Sequence, residues 1–328
     1  MKKRLLDLRN QEPLLDIVSY GRAGLRSLSR EQRQFISRTA RRVPEVMVKV
    51  SGGARTLAGV EKSLRYYARD GKLGMESDTG EQLSAKGFEA NLIRDWNLDV
   101  EAHQRQNARA VRAGRKPSRL VHNIIFSMPA GTPSEKVFKA ARELVRDEFE
   151  FRHRYAMVLH TDEPHPHVHV VVKAASEQGE RLYIRKSTLR AWRRQFAANL
   201  RELGVAANAT ERGVRGLSRT RKSDGIYRAA QRDESSYIRD LAQRAAADDG
   251  KGAKEPGKET LLATRTAVVA GWRGVSERLR GDGYPDLAGE VERFVDRMPA
   301  PQTEMESLMG QLRRSARAPQ FEAPHRMR

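Results

Sequence analysis

Residues 154–173 read Arg154-Tyr155-Ala156-Met157-Val158-Leu159-His160-Thr161-Asp162-Glu163-Pro164-His165-Pro166-His167-Val168-His169-Val170-Val171-Val172-Lys173. Two apolar runs, 154–160 and 167–173, flank a polar turn with two prolines, so each run reads as a strand. A short turn forces the two strands to pair antiparallel. Strand side chains alternate, which puts His167 and His169 on one side and Val168, Val170 and Val172 on the other. His160 closes the first strand and becomes their cross-strand neighbour, at about 4.5–5.5 Å between Cβ atoms. Three imidazoles can then converge on one ion and leave open positions for water or a phosphate oxygen. A nitrogen-only set suits Mn²⁺, Zn²⁺, Co²⁺ or Ni²⁺ better than Ca²⁺. Asp162 stands where it can accept the second N–H of a histidine and fix its tautomer. A His-rich surface turn is the plain alternative, but it gives no reason for three histidines on one face backed by a valine run.

Outward from this hairpin, Glu45 to Val50 is a short strand ended by Ser51-Gly52-Gly53. Leu57, Val60, Leu64 and Tyr67 recur at helical spacing, so residues 55–68 read as an amphipathic helix ended by Asp70-Gly71. Residues 70–87, rich in Gly and acids, read as a loop. Leu120 to Ser127 is a strand, and Ala130-Gly131-Thr132-Pro133-Ser134-Glu135 has helix-start chemistry, with Thr132 as N-cap and Pro133 at the first position. A further helix spans 186–203. Helices flanking an antiparallel sheet define an α+β fold, an antiparallel β-sheet covered by helices. Three segments are expected: a basic N-terminal arm over 1–43, the α+β domain over 44–219, and a helical, partly disordered C-terminal region over 220–328. That last region includes a Gly- and Lys-rich linker at 248–258 and helical texture over 260–298.

Lys plus Arg number 62 against 42 Asp plus Glu, a net charge of +20, and the sequence pI is near 10.5. Such a chain seeks a polyanion, nucleic acid first and an anionic membrane surface second. With no cysteine, thiolate metal sites, disulfides and cysteine nucleophiles are excluded, and any metal must use His, Asp or Glu. No run of 18 apolar residues exists, so no membrane insertion is expected. The basic N-terminus lacks the apolar stretch of a secretory signal, and a cytoplasmic location is expected.

The pattern H-x-D-x-x-H-P-H-x-H-V-V-V from His160 to Val172 closely resembles the histidine motif of P-type (MOBP) conjugative relaxases and of the T-DNA border endonuclease, within the His-hydrophobic-His (HUH) endonucleases. The resemblance implies that His160, His167 and His169 hold a divalent cation, Mg²⁺ or Mn²⁺ in use, with Zn²⁺, Co²⁺ or Ni²⁺ as alternatives. The role of His165 stays open. Leu64-Arg65-Tyr66-Tyr67-Ala68-Arg69-Asp70-Gly71 resembles the family's Leu-x-Tyr-hydrophobic-x-Arg-x-Gly signature. It implies Tyr66 as nucleophile, with Tyr67 as the alternative. Helical geometry makes Tyr67 the core residue and Tyr66 the freer hydroxyl, yet would also aim Tyr66 away from the sheet. Ile124 to Thr132 resembles a second family motif, a strand followed by a Pro-Ala-Gly-Thr turn. The resemblance spans roughly residues 44–216.

The implied activity is tyrosine transesterification: a strand-specific nick at an origin of transfer, a 5′-phosphotyrosyl DNA intermediate, and piloting of single-stranded DNA in conjugation. Asp162 ranks first as acceptor of the tyrosine proton. Implied partners are single-stranded and origin DNA, accessory relaxosome proteins, a coupling protein and a type IV secretion system, with export alongside the DNA. Arg185, Lys186, Arg190, Arg193 and Arg194 around Trp192 either contact phosphates and stack a base, or form a solvated helix with Trp192 in the core. Two alternatives of function stay open: an HUH nuclease of replication initiation or transposition, and a phosphoesterase using metal-activated water.

Overall fold

Alternation of strand and helix decides which side chains each layer buries. The computed structural model describes residues 27–217, 236–247, 257–307 and 309–310. The first 26 residues of the expected arm, most of the expected linker and the chain from 311 onward lie outside the described residues. In chain order the elements are α1 (Arg30–Ala40), β1 (Met47–Gly52), α2 (Leu57–Tyr67), β2 (Met75–Ser77), β3 (Gln82–Leu83), α3 (Phe88–Asp95), α4 (Val100–Arg112), β4 (Val121–Ser127), α5 (Ser134–Phe149), β5 (Tyr155–His160), β6 (His167–Lys173), α6 (Lys186–Glu202), α7 (Ser236–Ala247), α8 (Lys258–Gly281) and α9 (Pro285–Asp296). They form two compact units. One comprises residues 42–209; the other combines 27–41 with the described residues from 210 onward.

In the first unit a six-stranded sheet has the order β1-β4-β6-β5-β2-β3, every pair antiparallel. The central strand β6 is buried along its whole length, and its alternation sorts two kinds of chemistry. Val168, Val170 and Val172 join Ile124, Phe126 and Met157 under α5 and α6, which contribute Leu144, Val145, Phe196 and Leu200. On the opposite face Val171, Val158 and Met75 pack under α2 and α3 through Val60, Leu64, Phe88 and Leu92. Each such side chain contributes about 1.5–3 kcal/mol when fully buried. The histidines stand on this second face, toward the end where α2 terminates.

The link from β1 to α2 depends on one glycine. At Gly53 (φ +152°) an added Cβ would lie 2.2 Å from the carbonyl oxygen of Val121, so only a residue without a side chain lets the chain pass this close to β4. Thr56 then starts α2, its hydroxyl accepting from the Gly59 N–H at 3.1 Å.

Two local expectations need correction. Residues 70–87 are not all loop: β2 and β3 pair with each other, and β2 extends the sheet by pairing with β5. Thr132 does not cap α5. Its hydroxyl donates to the Pro129 carbonyl at 2.8 Å, and the cap position is Pro133. Of the two readings of the basic helix, the one with Trp192 in the core holds: Trp192 is buried against Phe149.

In the second unit, α8 and α9 pack together through Trp272, Val275, Leu279, Val291 and Phe294. Part of the expected N-terminal arm is the ordered helix α1, started by a reciprocal Ser29–Gln32 capping box. Ser-x-x-Gln is a legible helix start. No helix among the described residues is long and apolar enough to cross a membrane.

Candidate metal centre and tyrosine pair

The register of β5 and β6 sets His160 directly opposite His167, and His169 opposite Val158. Side-chain direction then gathers the rings. Centroid distances are 5.1 Å (His160–His167), 4.6 Å (His160–His169) and 5.0 Å (His167–His169). One ring nitrogen from each lies within 4.8 Å of those of the other two, and all three residues are buried.

The hydrogen bonds of these rings suit cation ligands. The His160 Nε2–H donates to the Tyr67 main-chain carbonyl at 2.7 Å, and the His167 Nδ1–H to the His165 carbonyl at 2.9 Å. Each bond leaves the other ring nitrogen with its lone pair, the arrangement that orients ligating histidines. Among the described residues, His169 Nδ1 is buried without a hydrogen-bond partner. Burial, then the neighbouring His160 and His167, push the His169 imidazole down to about 3. Burial likewise lowers His160. Neutral imidazoles are the form a metal binds. His165 itself has an exposed side chain and serves through its carbonyl.

Lys49, unnoticed in the sequence, adds a positive charge on the same face. It pairs in register with Ile125, which pairs with His169, and its charge contributes to lowering His169. Its place in the middle of an alternating strand was the available signal.

The two tyrosines part ways. Tyr67 is 8% exposed and its ring stacks on His169 at 4.1 Å with planes 23° apart; Tyr66 is 56% exposed. Tyr66 meets the cluster through Arg69. The guanidinium carbon lies 5.5 Å from the centre of the Tyr66 ring, while Nη2 pairs with Asp162 Oδ2 and stands 3.5 Å from His160 Nδ1. Arg69 and Asp70 both have left-handed backbones (φ 52° and 58°), a conformation that costs a side-chain-bearing residue about 1 kcal/mol or more. That turn carries the Arg69 side chain from the end of α2 to the histidines.

Asp162 is half exposed. Desolvation would raise its carboxyl, but the Arg69 hydrogen bond and charge prevail and hold it below its ordinary value. Its Oδ1 is 3.7 Å from His160 Nδ1, longer than a hydrogen bond. The principal partner of Asp162 is therefore Arg69, and not a histidine.

Residues 66–205 match the family model described as "Relaxase: MobA/VirD2-like, nuclease domain". This segment, which holds the tyrosine pair and all three histidines, is similar to the nuclease domain of the MobA/VirD2-like relaxases. A particular relative is the T-DNA border endonuclease VirD2 of Agrobacterium fabrum (strain C58 / ATCC 33970), 26% identical over 236 residues, which cover 65% of this chain and 51% of that protein. The chain thus spans about half the length of that relative. A chain from the solved structure "Molecular Basis of Vancomycin Resistance Transfer in Staphylococcus aureus" aligns at 13% identity with a TM-score of 0.32, over 52% of this chain and 99% of that one; at that score the likeness carries no weight.

Proposed function

We propose that this chain is a conjugative DNA relaxase that nicks one strand at an origin of transfer with Tyr66. The observation that supports it most is the three-histidine cluster fastened to the end of the helix that presents Tyr66. The Tyr66 phenolic oxygen forms a bond to the scissile phosphorus as the bond from phosphorus to the DNA 3′ oxygen breaks. The products are a 5′-phosphotyrosine and a free 3′-OH. The new ester keeps the energy of the old one, so the 3′-OH can attack it and reseal the strand without ATP. Arg69 supplies a fixed positive charge beside the Tyr66 ring, suited to the oxygens of a phosphodiester. Asp162 holds Arg69 in place and is the carboxylate assigned to receive the phenolic proton. Tyr67 packs the cluster against α2.

His160, His167 and His169 would hold the divalent cation, with Mg²⁺ or Mn²⁺ the working choice. A cation so held withdraws charge from a scissile phosphate that it ligates. The catalytic domain is assigned to 44–219, with 220–328 as a helical accessory region for relaxosome, coupling-protein or secretion contacts. The site of action is the bacterial cytoplasm, with the protein exported on its DNA.

The test is incubation with Mn²⁺ or Mg²⁺ and a single-stranded oligonucleotide from the element's own origin, followed by a denaturing gel and peptide mass analysis. A covalent adduct on Tyr66 is expected. An adduct on Tyr67 would transfer the role, and cleavage without any adduct would replace this reading with hydrolysis by activated water.

A further inference from the structure

The ends of β4 and β6 farthest from the histidines border a groove against α4, with room of about 480 Å³. Its cations are Arg105, Arg109, Arg119, Arg181 and Lys173. Lys173 is four residues beyond His169 on β6, or about 13 Å at about 3.3 Å per residue, so the groove is distinct from the metal centre.

Several features suit it to an anion. Arg109 makes no ion pair among the described residues, and Arg105 makes only a long one, 3.8 Å to the exposed Glu101. Arg119 and Arg181 are held by main-chain carbonyls, at 3.1 Å to Gly52 and 2.7 Å to Arg119. Those bonds position them without neutralising them. Lys173 is paired with Glu177 at 2.8 Å. The carboxylate lining the groove is Asp99, already engaged as the cap of α4 through the Ala102 N–H.

His103, buried in the same wall, is held at Nε2 by the Ser118 hydroxyl at 3.2 Å and the Asn107 amide at 3.3 Å. Burial first, then the Arg181 charge, hold its imidazole below its ordinary value. An aromatic completes the set. Leu182 and Ile184 pack against the core under α5 and α6, and Tyr183 stands between them, two residues from Arg181. Tyr183 is 74% exposed.

We propose that this groove grips the sugar–phosphate backbone of the DNA strand whose scissile bond lies at the histidines, with Tyr183 as a stacking surface for a base. The proposal rests on the relaxase reading above and adds a second, sequence-independent hold away from the nick.

The test uses the full chain and a fluorescein-labelled single-stranded oligonucleotide of mixed sequence, titrated by anisotropy at several salt concentrations. Arg105→Ala/Arg109→Ala is expected to lose affinity at least fivefold and to flatten the slope of log affinity against log salt by about 0.7 per lost phosphate contact. Lys139→Ala/Arg146→Ala removes the same charge from α5 and should change neither. Tyr183→Ala should weaken binding without moving the slope. Circular dichroism confirms folding, and Arg109→Gln, the mildest change, repeats the measurement should the double variant melt early. Equal losses in the groove and α5 variants, or no loss in either, overturn the groove. Wild-type chain that neither binds the oligonucleotide nor forms an adduct on origin DNA sinks the relaxase reading itself, so the two failures are separable.

Discussion

The imidazole of His160 donates from Nε2 to the main-chain carbonyl of Tyr67 at 2.7 Å, so a metal-ligand candidate on β5 clamps the last turn of α2. The bond is buried, and losing a buried hydrogen bond costs on the order of 1–2 kcal/mol. His160→Ala should therefore do two things that His167→Ala does not combine. Both variants lose metal affinity. Only His160→Ala should speed amide exchange, about tenfold, over residues 66–73, where the turn beyond α2 closes through Asp70 N–H to Arg65 and Leu73 N–H to Ala68. Equal protection of that segment in both variants would show that the clamp has no energetic consequence.

The tyrosine pair makes a second contrast. Tyr66→Phe keeps the ring and removes the exposed hydroxyl, so a folded protein with no covalent DNA adduct is expected. Tyr67→Phe keeps the stack on His169, so adduct yield should stay within a few-fold of wild type. Tyr67→Ala would instead remove a buried aromatic and destabilise the domain by about 3–5 kcal/mol. Adduct retained by Tyr66→Phe and lost by Tyr67→Phe would reverse the assignment.

Arg69 permits its side chain and its backbone to be tested apart. Glycine adopts a left-handed conformation without strain, and Arg69 has φ 52°. Arg69→Gly is thus expected to hold or raise thermal stability, by up to about 1 kcal/mol. It also removes the charge between Tyr66 and Asp162, so the adduct-forming rate should fall at least tenfold. A stable variant with an undiminished rate would reduce Arg69 to a structural turn residue.

The histidine hairpin was legible because its strands are regular. Period-two alternation put His167 and His169 on one face and three valines on the other, and a short turn left one pairing for His160. Tyr67 as the core residue of α2 followed from the same kind of reasoning. What escaped was non-periodic or decided by tertiary partners. Met75-Glu76-Ser77 is too short to signal a strand, and becomes one because β5 offers it an edge, with Glu76 opposite Met157. Helices α3 and α4 start from left-handed residues, Gly87 and Asp99. Arg69 stood in the quoted signature, yet its role depends on two consecutive left-handed residues and a carboxylate 93 positions away. Asp162 lies near a histidine in sequence, but a guanidinium competes better for a carboxylate than a buried neutral imidazole does.

Gly53 gives a stability test independent of chemistry. A methyl group 2.2 Å from the Val121 carbonyl oxygen forces β1 and β4 apart, because the obstacle is backbone and not a flexible side chain. Gly53→Ala should cost about 2 kcal/mol or more by thermal melting. Gly52→Ala, where a Cβ meets nothing within 4 Å, should cost far less. Similar melting temperatures for the two would mean that the link to α2 has slack.

Acid should loosen the first unit through histidines held neutral, and His122 isolates the effect away from the metal centre. Burial, then the charges of Arg119 and Arg181, push this imidazole down to about 4. The unfolded chain takes up the proton near 6.5, so between pH 6.5 and about 4 it binds more protons than the folded chain. Stability from this group is full above pH 6.5 and is lost as pH falls through that window, by at most about 1.4 kcal/mol per pH unit for one proton. Other buried histidines, His153 and His169 among them, are shifted the same way, so the informative quantity is a difference. The urea midpoint of the chelator-treated wild type should drop more between pH 7 and 5 than that of His122→Gln, which has nothing to protonate there. Parallel drops would mean that His122 titrates alike in both states and that its burial imposes no proton penalty.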